Sequence, residues 1–348
     1  MGAWRAQGRR HGGMQGTSLL KINEYLPGKP EEFVPDSATY PGWYTVLREA
    51  GGTDDESAAW VVNGAFYRDH WHQDMGGVVL YALSSPLSVD WGPIYYPRVA
   101  GAYMHSLAIP ERMIGQKAWD GPVDLAGHGG RFWTAEQAKV LFMGPVDRVV
   151  SEYREDANAE GPVEWRRTMT LIAPEPDRPI ILIEDTYGGE IATEPKVFTL
   201  NLMSRGPVQT PAGAIEPKQN LYRHKGEPKE SPSGGTKFEL PSGTSRLDFT
   251  GRWGIDWALF TTADGPRDAL LDHWSHDWHP SPEQGSFRRA NDRSFEETQH
   301  ILRIRGNGPF HTVIVPWKKG EAPNEVDVTR EGGTTIITNA GWTVRVAP

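Results

Sequence analysis

Hydrophobic and polar positions along the chain fall into short runs, bounded by turn residues, with little helical periodicity. GWYTVLRE, AAWVVNGAFY, GVVLYAL, WRRTMTLIA, IILIEDTY, KVFTLNLMS, SRLDFTGRW, IDWALFTT, QHILRIRG, FHTVIVPW, GTTIITN and GWTVRVA are rich in β-branched and aromatic residues. Most end at Gly, Pro, Asp or Asn, the residues that stop a strand and start a turn. These runs predict an all-β chain: a large antiparallel, multi-stranded β-sandwich with few short helices. Only Thr134 to Phe142 (TAEQAKVLF) and Asp268 to Trp274 suggest short helices. Residues 206–245 and 273–293 read as loops or long hairpin ends, because Pro, Gly, Ser and charged residues crowd there. No internal repeat is visible.

Composition narrows the classes. With 348 residues, 38% hydrophobic and 23% charged, the chain can bury a sizeable core. The 39 Gly and 28 Pro agree with frequent turns. A net charge of -9 argues against nucleic acid as the main partner. No apolar run approaches the roughly 18 residues of a membrane span. There are no cysteines, so a metal would have to be held by His, Asp or Glu. Residues 1–37 begin basic and Gly-rich, without the apolar stretch of a secretory signal. They are expected to be a flexible leader or the remnant of an upstream region, with one β domain over 38–348.

The densest chemistry lies in DHWHQDMGGVVLYALSSPLSVDWG. In a strand, residues two apart share a face, so His70 and His72 can present two imidazoles side by side. A strand over Val78 to Ala82, a turn at Ser84 to Pro86 and a return through Leu87 to Trp91 would carry Asp90 back toward His72. His105 follows in AYMHSLAI. Two imidazoles and a carboxylate with one open position suit zinc. HxH on a strand also occurs in cupin-like metal oxygenases, but their pattern adds a nearby Glu, and none stands here. Arg68 and Arg98 are candidates to pair a carboxylate bidentately. Trp71 is a candidate sugar-stacking face, and Tyr95, Tyr96 and Tyr103 are candidate phenols. Asp74 reads as a turn cap or a partner behind the metal ligands. The segment from His273 to His279 reads as an exposed polar loop.

These residues resemble the β module of the heparinase II/III-like polysaccharide lyases, a group that includes alginate and heparin lyases. The likeness starts at PGWYTVLRE and runs through HWHQD, LYALSSPLSVDWG and MHSLAIP. It continues in EWRRTMTLIAPEPDRPIILIEDTYGG, similar to the family's paired strands that end in an aspartate before a turn. The resemblance implies a super-sandwich fold, with zinc held by His72, Asp90 and His105 and with His70 near the substrate. It implies β-elimination on a uronate-containing acidic polysaccharide, with Tyr103 a candidate for proton transfer and Arg68, Trp71 and Tyr95 for substrate contact. The zinc is expected to organise the cleft rather than act as a Lewis acid. Location in the periplasm or outside the cell is implied in the same way. The family's third histidine is usually followed by Asn; here Ser106 follows. Family members usually carry an α/α toroid before this module, and none is visible here. A non-catalytic module that binds or positions an acidic glycan is therefore the alternative.

Overall fold

The computed structural model describes residues 37–63, 73–90, 101–114, 134–143, 145–154, 162–223, 235–278, 295–323 and 325–348. Every run named above holds a strand among its described residues. Five strands form the first sheet in sequential order: β1 (Ala38–Tyr40), β2 (Tyr44–Glu49), β3 (Ser57–Val62), β4 (Val78–Ala82) and β5 (Ser85–Ser88). The single pair β6 (Ala108–Pro110) with β11 (Lys196–Leu202) begins a second, six-stranded sheet. β19 (Phe295–Gly306) and β18 (Arg267–Trp278) continue it, with β14 (Lys218–Arg223) and β15 (Thr236–Leu240) both paired to β18. The β14–β18 pair is parallel; the others in this sheet are antiparallel.

A nine-stranded antiparallel sheet forms the middle layer. It holds β7 (Thr134–Phe142), β8 (Val146–Arg154), β9 (Trp165–Ile172), β10 (Ile180–Tyr187), β12 (Ser204–Thr210), β13 (Gly213–Ile215), β16 (Gly243–Gly251), β17 (Ile255–Ala263) and β20 (Phe310–Lys318). Alternation decides which side chains meet which layer. Met169, Leu171, Ile181, Ile183, Trp257, Leu259 and Ile314 join the large core shared with the five- and six-stranded sheets. The intervening Ile172, Ile180, Leu182, Phe260, Val313 and Val315 form a second core with Val328, Ile337 and Val346. Those last three belong to a C-terminal sheet of β21 (Asp327–Glu331), β22 (Thr334–Thr338) and β23 (Thr343–Val346). No helix among the described residues is long and apolar enough to cross a membrane.

Both predicted helices are strands. Thr134 to Phe142 carries helix-forming residues, yet it is β7, hydrogen-bonded along its length to β8. Pairing to a neighbour overrides a weak local propensity. Asp268 to Trp274 lies inside β18, where Ala269, Leu270, Leu271, Asp272 and Trp274 are all buried. Covering on both faces removes the alternation that would have marked a strand. Residues 206–245, read as loops or hairpin ends, hold β13, β14 and β15 and parts of β12 and β16. The predicted exposed loop at His273 is also overturned: residues 273–278 extend β18, Trp274 is buried, and His279 lies outside the described residues. The turn of the first-sheet hairpin sits at Leu83–Ser84, one position earlier than predicted. Both residues adopt positive φ (50° and 58°), a conformation that usually calls for Asn or Gly. The surroundings hold it in place: Leu83 is buried, its N–H donates to Ser57 Oγ (3.1 Å), and the Ser84 N–H donates to the Glu56 carbonyl (2.8 Å).

Candidate metal and glycan site

Two of the three predicted metal ligands meet. Asp90 lies two residues beyond β5, and His105 closes a 3-10 turn over Ala102–Met104 with extended backbone (φ -109°, ψ 154°). The Asp90 Oδ1 and His105 Nδ1 are 2.7 Å apart. His105 is fully buried, whereas the Asp90 side chain keeps 29% exposure. The contact therefore has one dry side and one side open toward solvent. His72, the third predicted ligand, lies outside the described residues, as do His70, Arg68, Trp71 and Tyr95. Among the described residues no three His, Asp or Glu side chains come together as a metal-holding group. The imidazole–carboxylate pair nonetheless has the donor chemistry zinc takes.

The segments carrying these residues are pinned to one another. Gln73, next to His72, accepts the Ala102 N–H at Oε1 (3.1 Å). Asp74 accepts the Gly77 N–H at its backbone carbonyl (2.6 Å), turning the chain into β4. Its side chain also senses the site. Loss of solvent pushes the Asp74 carboxyl up to about 6; the nearby His105 opposes this and Asp90 adds to it.

Beneath the site lies a buried ion pair that sequence reasoning only half found. Asp185, the aspartate of IEDTYGG, accepts from Arg167 Nε (2.7 Å) and Nη2 (3.0 Å) and from Trp165 Nε1 (2.8 Å). Arg167 and Asp185 face each other across the β9–β10 register and are essentially fully buried. Arg167 Nη1 donates to the carbonyls of Gly76 (2.7 Å) and Ser106 (3.0 Å). Gly76 has φ 86°, and a Cβ there would lie 2.3 Å from the Trp165 ring. The signal available in the sequence was the pair Arg167 and Asp185 at mirrored positions of two adjacent strand runs.

Tyr103 sits on the other side of the same segment. Its ring lies 3.5 Å from the Arg303 guanidinium, and its hydroxyl is 3.5 Å from Asp272 Oδ2. Arg303 also donates to Asp272 (2.5 Å) and to the Tyr103 carbonyl (3.0 Å). Tyr103 is 1% exposed, and burial drives its phenol well above the ordinary value. In this position Tyr103 anchors the turn before His105. A part in proton transfer would require its hydroxyl to leave Asp272.

No family model matches the chain, and no curated protein matches it in sequence. Solved structures do match in fold. The heparan sulfate lyase HepC from Pedobacter heparinus aligns over 99% of this chain and 47% of its own, at 12% identity and a TM-score of 0.54. The heparinase III BT4657 gene product aligns over the same shares, at 8% identity and a TM-score of 0.52. The chain thus spans about half the length of the structures it matches, and what it shares with them is an all-β architecture.

Proposed function

We propose that the chain is the β module of a polysaccharide lyase acting on an acidic, uronate-containing glycan. The observation that supports this best is the Asp90–His105 contact, which joins two side chains 15 residues apart that were expected to ligate one ion. The fold shared with proteins named as heparan sulfate lyase and heparinase supports the same class. In this reading His72, Asp90 and His105 hold zinc, whose chemistry is to fix the strands and raise the local positive potential.

The reaction follows from the substrate. A base takes the proton at C5, beside the uronate carboxylate. The C5–H electrons form a C4–C5 double bond, the C4–O bond breaks, and an acid protonates the leaving oxygen. His70 stands as the candidate for one of these proton transfers. Arg68, Trp71 and Tyr95 are its proposed neighbours on the substrate: a guanidinium for the carboxylate, an indole and a phenol for the sugar face. Positive charge on the carboxylate stabilises the enolate-like transition state. Proteins of this kind meet their polymers in the periplasm or outside the cell, and we propose the same location here.

The test is incubation with alginate, heparin, heparan sulfate, hyaluronan and ulvan, following the ultraviolet absorbance of the unsaturated product. Absorbance growth with at least one polymer, lost in His70→Ala with zinc retained, is the expected result. Silence across the panel from a zinc-loaded protein overturns cleavage by this chain on its own, and silence from a protein that also carries an upstream helical region overturns the lyase reading. The burial of Tyr103, the described candidate for proton transfer, against Asp272 favours one second reading, a zinc-containing module that binds acidic glycan without cleaving it. It predicts glycan retention in affinity electrophoresis without product.

A further inference from the structure

We infer that the middle sheet carries a separate sugar-binding site, a row of Arg205, Thr250, Asp256 and Trp317 that takes a short stretch of acidic polysaccharide. The choice of polymer rests on the reading of the chain as a glycan-acting module; the place rests on strand register. Cross-strand neighbours share a face of a sheet. Arg205 pairs with Thr250 across β12 and β16, and Asp256 pairs with Trp317 across β17 and β20. Thr250 and Asp256 lie one step beyond the paired Phe249 and Trp257. Four adjacent strands thus set a cation, a hydroxyl, a carboxylate and an indole side by side. Phe249 and Trp257 point into the large core, so the row points to the other face, where Trp317 packs against the second core. At strand spacings of about 4.8 Å the row runs roughly 14 Å, longer than one sugar ring.

A bulge in β12 makes room over the row. Between Arg205 and Gln209 the pairing slips, and three residues of β12 stand opposite Phe249 alone. Gly206 takes φ 66° there, and a Cβ on it would meet nothing within 4 Å. Pro207 brings no N–H to the ladder. The bowed strand opens a hollow of about 430 Å³, lined by the row together with Gln209 and Asp248. Small-ligand sites span roughly 300–1,000 Å³.

The lining suits a uronate. Arg205 is exposed, and its guanidinium has no hydrogen-bond or ion-pair partner among the described residues. A planar fork of donors matches a carboxylate bidentately. Asp256 Oδ1 accepts the Gly251 N–H (2.9 Å), and Asp248 Oδ1 accepts from Arg246 Nε (2.8 Å). Those contacts fix both side chains and leave each a second oxygen for a sugar hydroxyl. Trp317 is half-buried, held from behind by the second core, and offers a flat apolar surface to the C–H face of a pyranose. One ring of the polymer stacks on Trp317 with a hydroxyl at Asp256, and a neighbouring ring brings its carboxylate to Arg205. The Asp185 and Arg167 side chains below the Asp90–His105 contact face the opposite way, so the row touches no reacting atom. It holds the polymer and raises its local concentration at the protein.

The test measures retardation of the full chain in gels cast with alginate, hyaluronan or heparan sulfate, with neutral hydroxyethyl cellulose as control. The variants are Arg205→Ala, Thr250→Glu and Trp317→Leu. Arg205 and Thr250 are exposed, so changes there leave the core intact, and leucine at 317 keeps apolar cover while removing the flat ring. At least one acidic polymer should retard the wild type, and the neutral one should not. Arg205→Ala and Thr250→Glu should weaken that binding about tenfold or more, and Trp317→Leu about twofold to tenfold. The indole N–H resonance missing from Trp317→Leu identifies Trp317. It should move when the wild type is titrated with a hexasaccharide of the retarding polymer. No retardation by any acidic polymer, native binding in Arg205→Ala and Thr250→Glu, or an unmoved Trp317 resonance overturns the inference. If Trp317→Leu does not fold, the two exposed-site variants decide alone. Unsaturated product is followed on the same proteins by ultraviolet absorbance. Retention that the variants lose, without product, sinks cleavage and leaves this site standing. Product with native retention in every variant sinks this site and leaves cleavage standing.

Discussion

Glu184 and Asp185 are neighbours in β10, point to opposite faces of the middle sheet, and live in opposite ways. Asp185 takes three donors from Trp165 and Arg167. Glu184 faces the C-terminal sheet, where Thr335 donates at 3.4 Å and His311 Nδ1 approaches to 3.3 Å without the alignment of a hydrogen bond. Glu184 Oε2 and both His311 ring nitrogens have no hydrogen-bond partner. Burial is nearly equal on the two sides; satisfaction is not. A saturated buried ion pair is rigid and can serve as a mount for other groups. An undersaturated one can shift or be replaced at small cost. The candidate site sits on the saturated side.

Removing Asp185 tests this most severely. Asp185→Ala strands the Arg167 charge in the core and should cost roughly 3–5 kcal/mol in denaturant unfolding. A loss under 1 kcal/mol would mean the pair is not the rigid mount described. Next in size is Gly76→Ala. A methyl pressed into the Trp165 ring, on a left-handed backbone, should cost about 1–3 kcal/mol, and the near-ultraviolet tryptophan signal should change with it. An unchanged midpoint and spectrum would separate the loop from the Trp165 face.

A neutral buried group provides the intermediate case. His300 is buried and shares a proton with Ser204 Oγ through Nδ1 (2.8 Å). Burial first, then the His273 and Arg252 charges, lower its imidazole to about 3. A histidine whose folded value is depressed binds fewer protons folded than unfolded. Its contribution is therefore full above the unfolded value near 6.5 and is lost as pH falls toward 3. His300→Gln should flatten the decline of the melting temperature between pH 7 and pH 4; parallel declines would assign the acid sensitivity to other groups. The smallest effect belongs to Glu184→Gln, expected within about 1 kcal/mol of wild type, since only long contacts change. A cost matching that of Asp185→Ala would erase the contrast between the two faces.

What could be read from the chain, and what could not, follows the same division. Strands rich in β-branched and aromatic residues, such as β17 and β20, were plain from residue type alone, although both their faces are covered. β18 was misread at Asp268 to Trp274 because it is buried without alternation and carries the helix formers Ala269, Leu270 and Leu271, and β7 because its composition favours helix while its partner β8 decides the outcome. The Asp90–His105 meeting was expected from the family resemblance, which assigned both residues to one ion. Arg167 was not singled out: its partners Gly76 and Ser106 are 91 and 61 residues distant. No local pattern records a contact of that range. His70 and His72, the strongest signals in the sequence, lie outside the described residues.

The tie between Gln73 and Ala102 has one more consequence. It couples the turn that leads into β4 of one sheet to a turn braced by Arg303 of another, so the Asp90–His105 contact lies beside a seam between layers. Anything that slides those layers, such as pressure, an inhibitor wedged in the seam or a neighbouring domain leaning on it, would alter the bite offered to a cation. Metal affinity would then act as a gauge of how tightly the layers are closed.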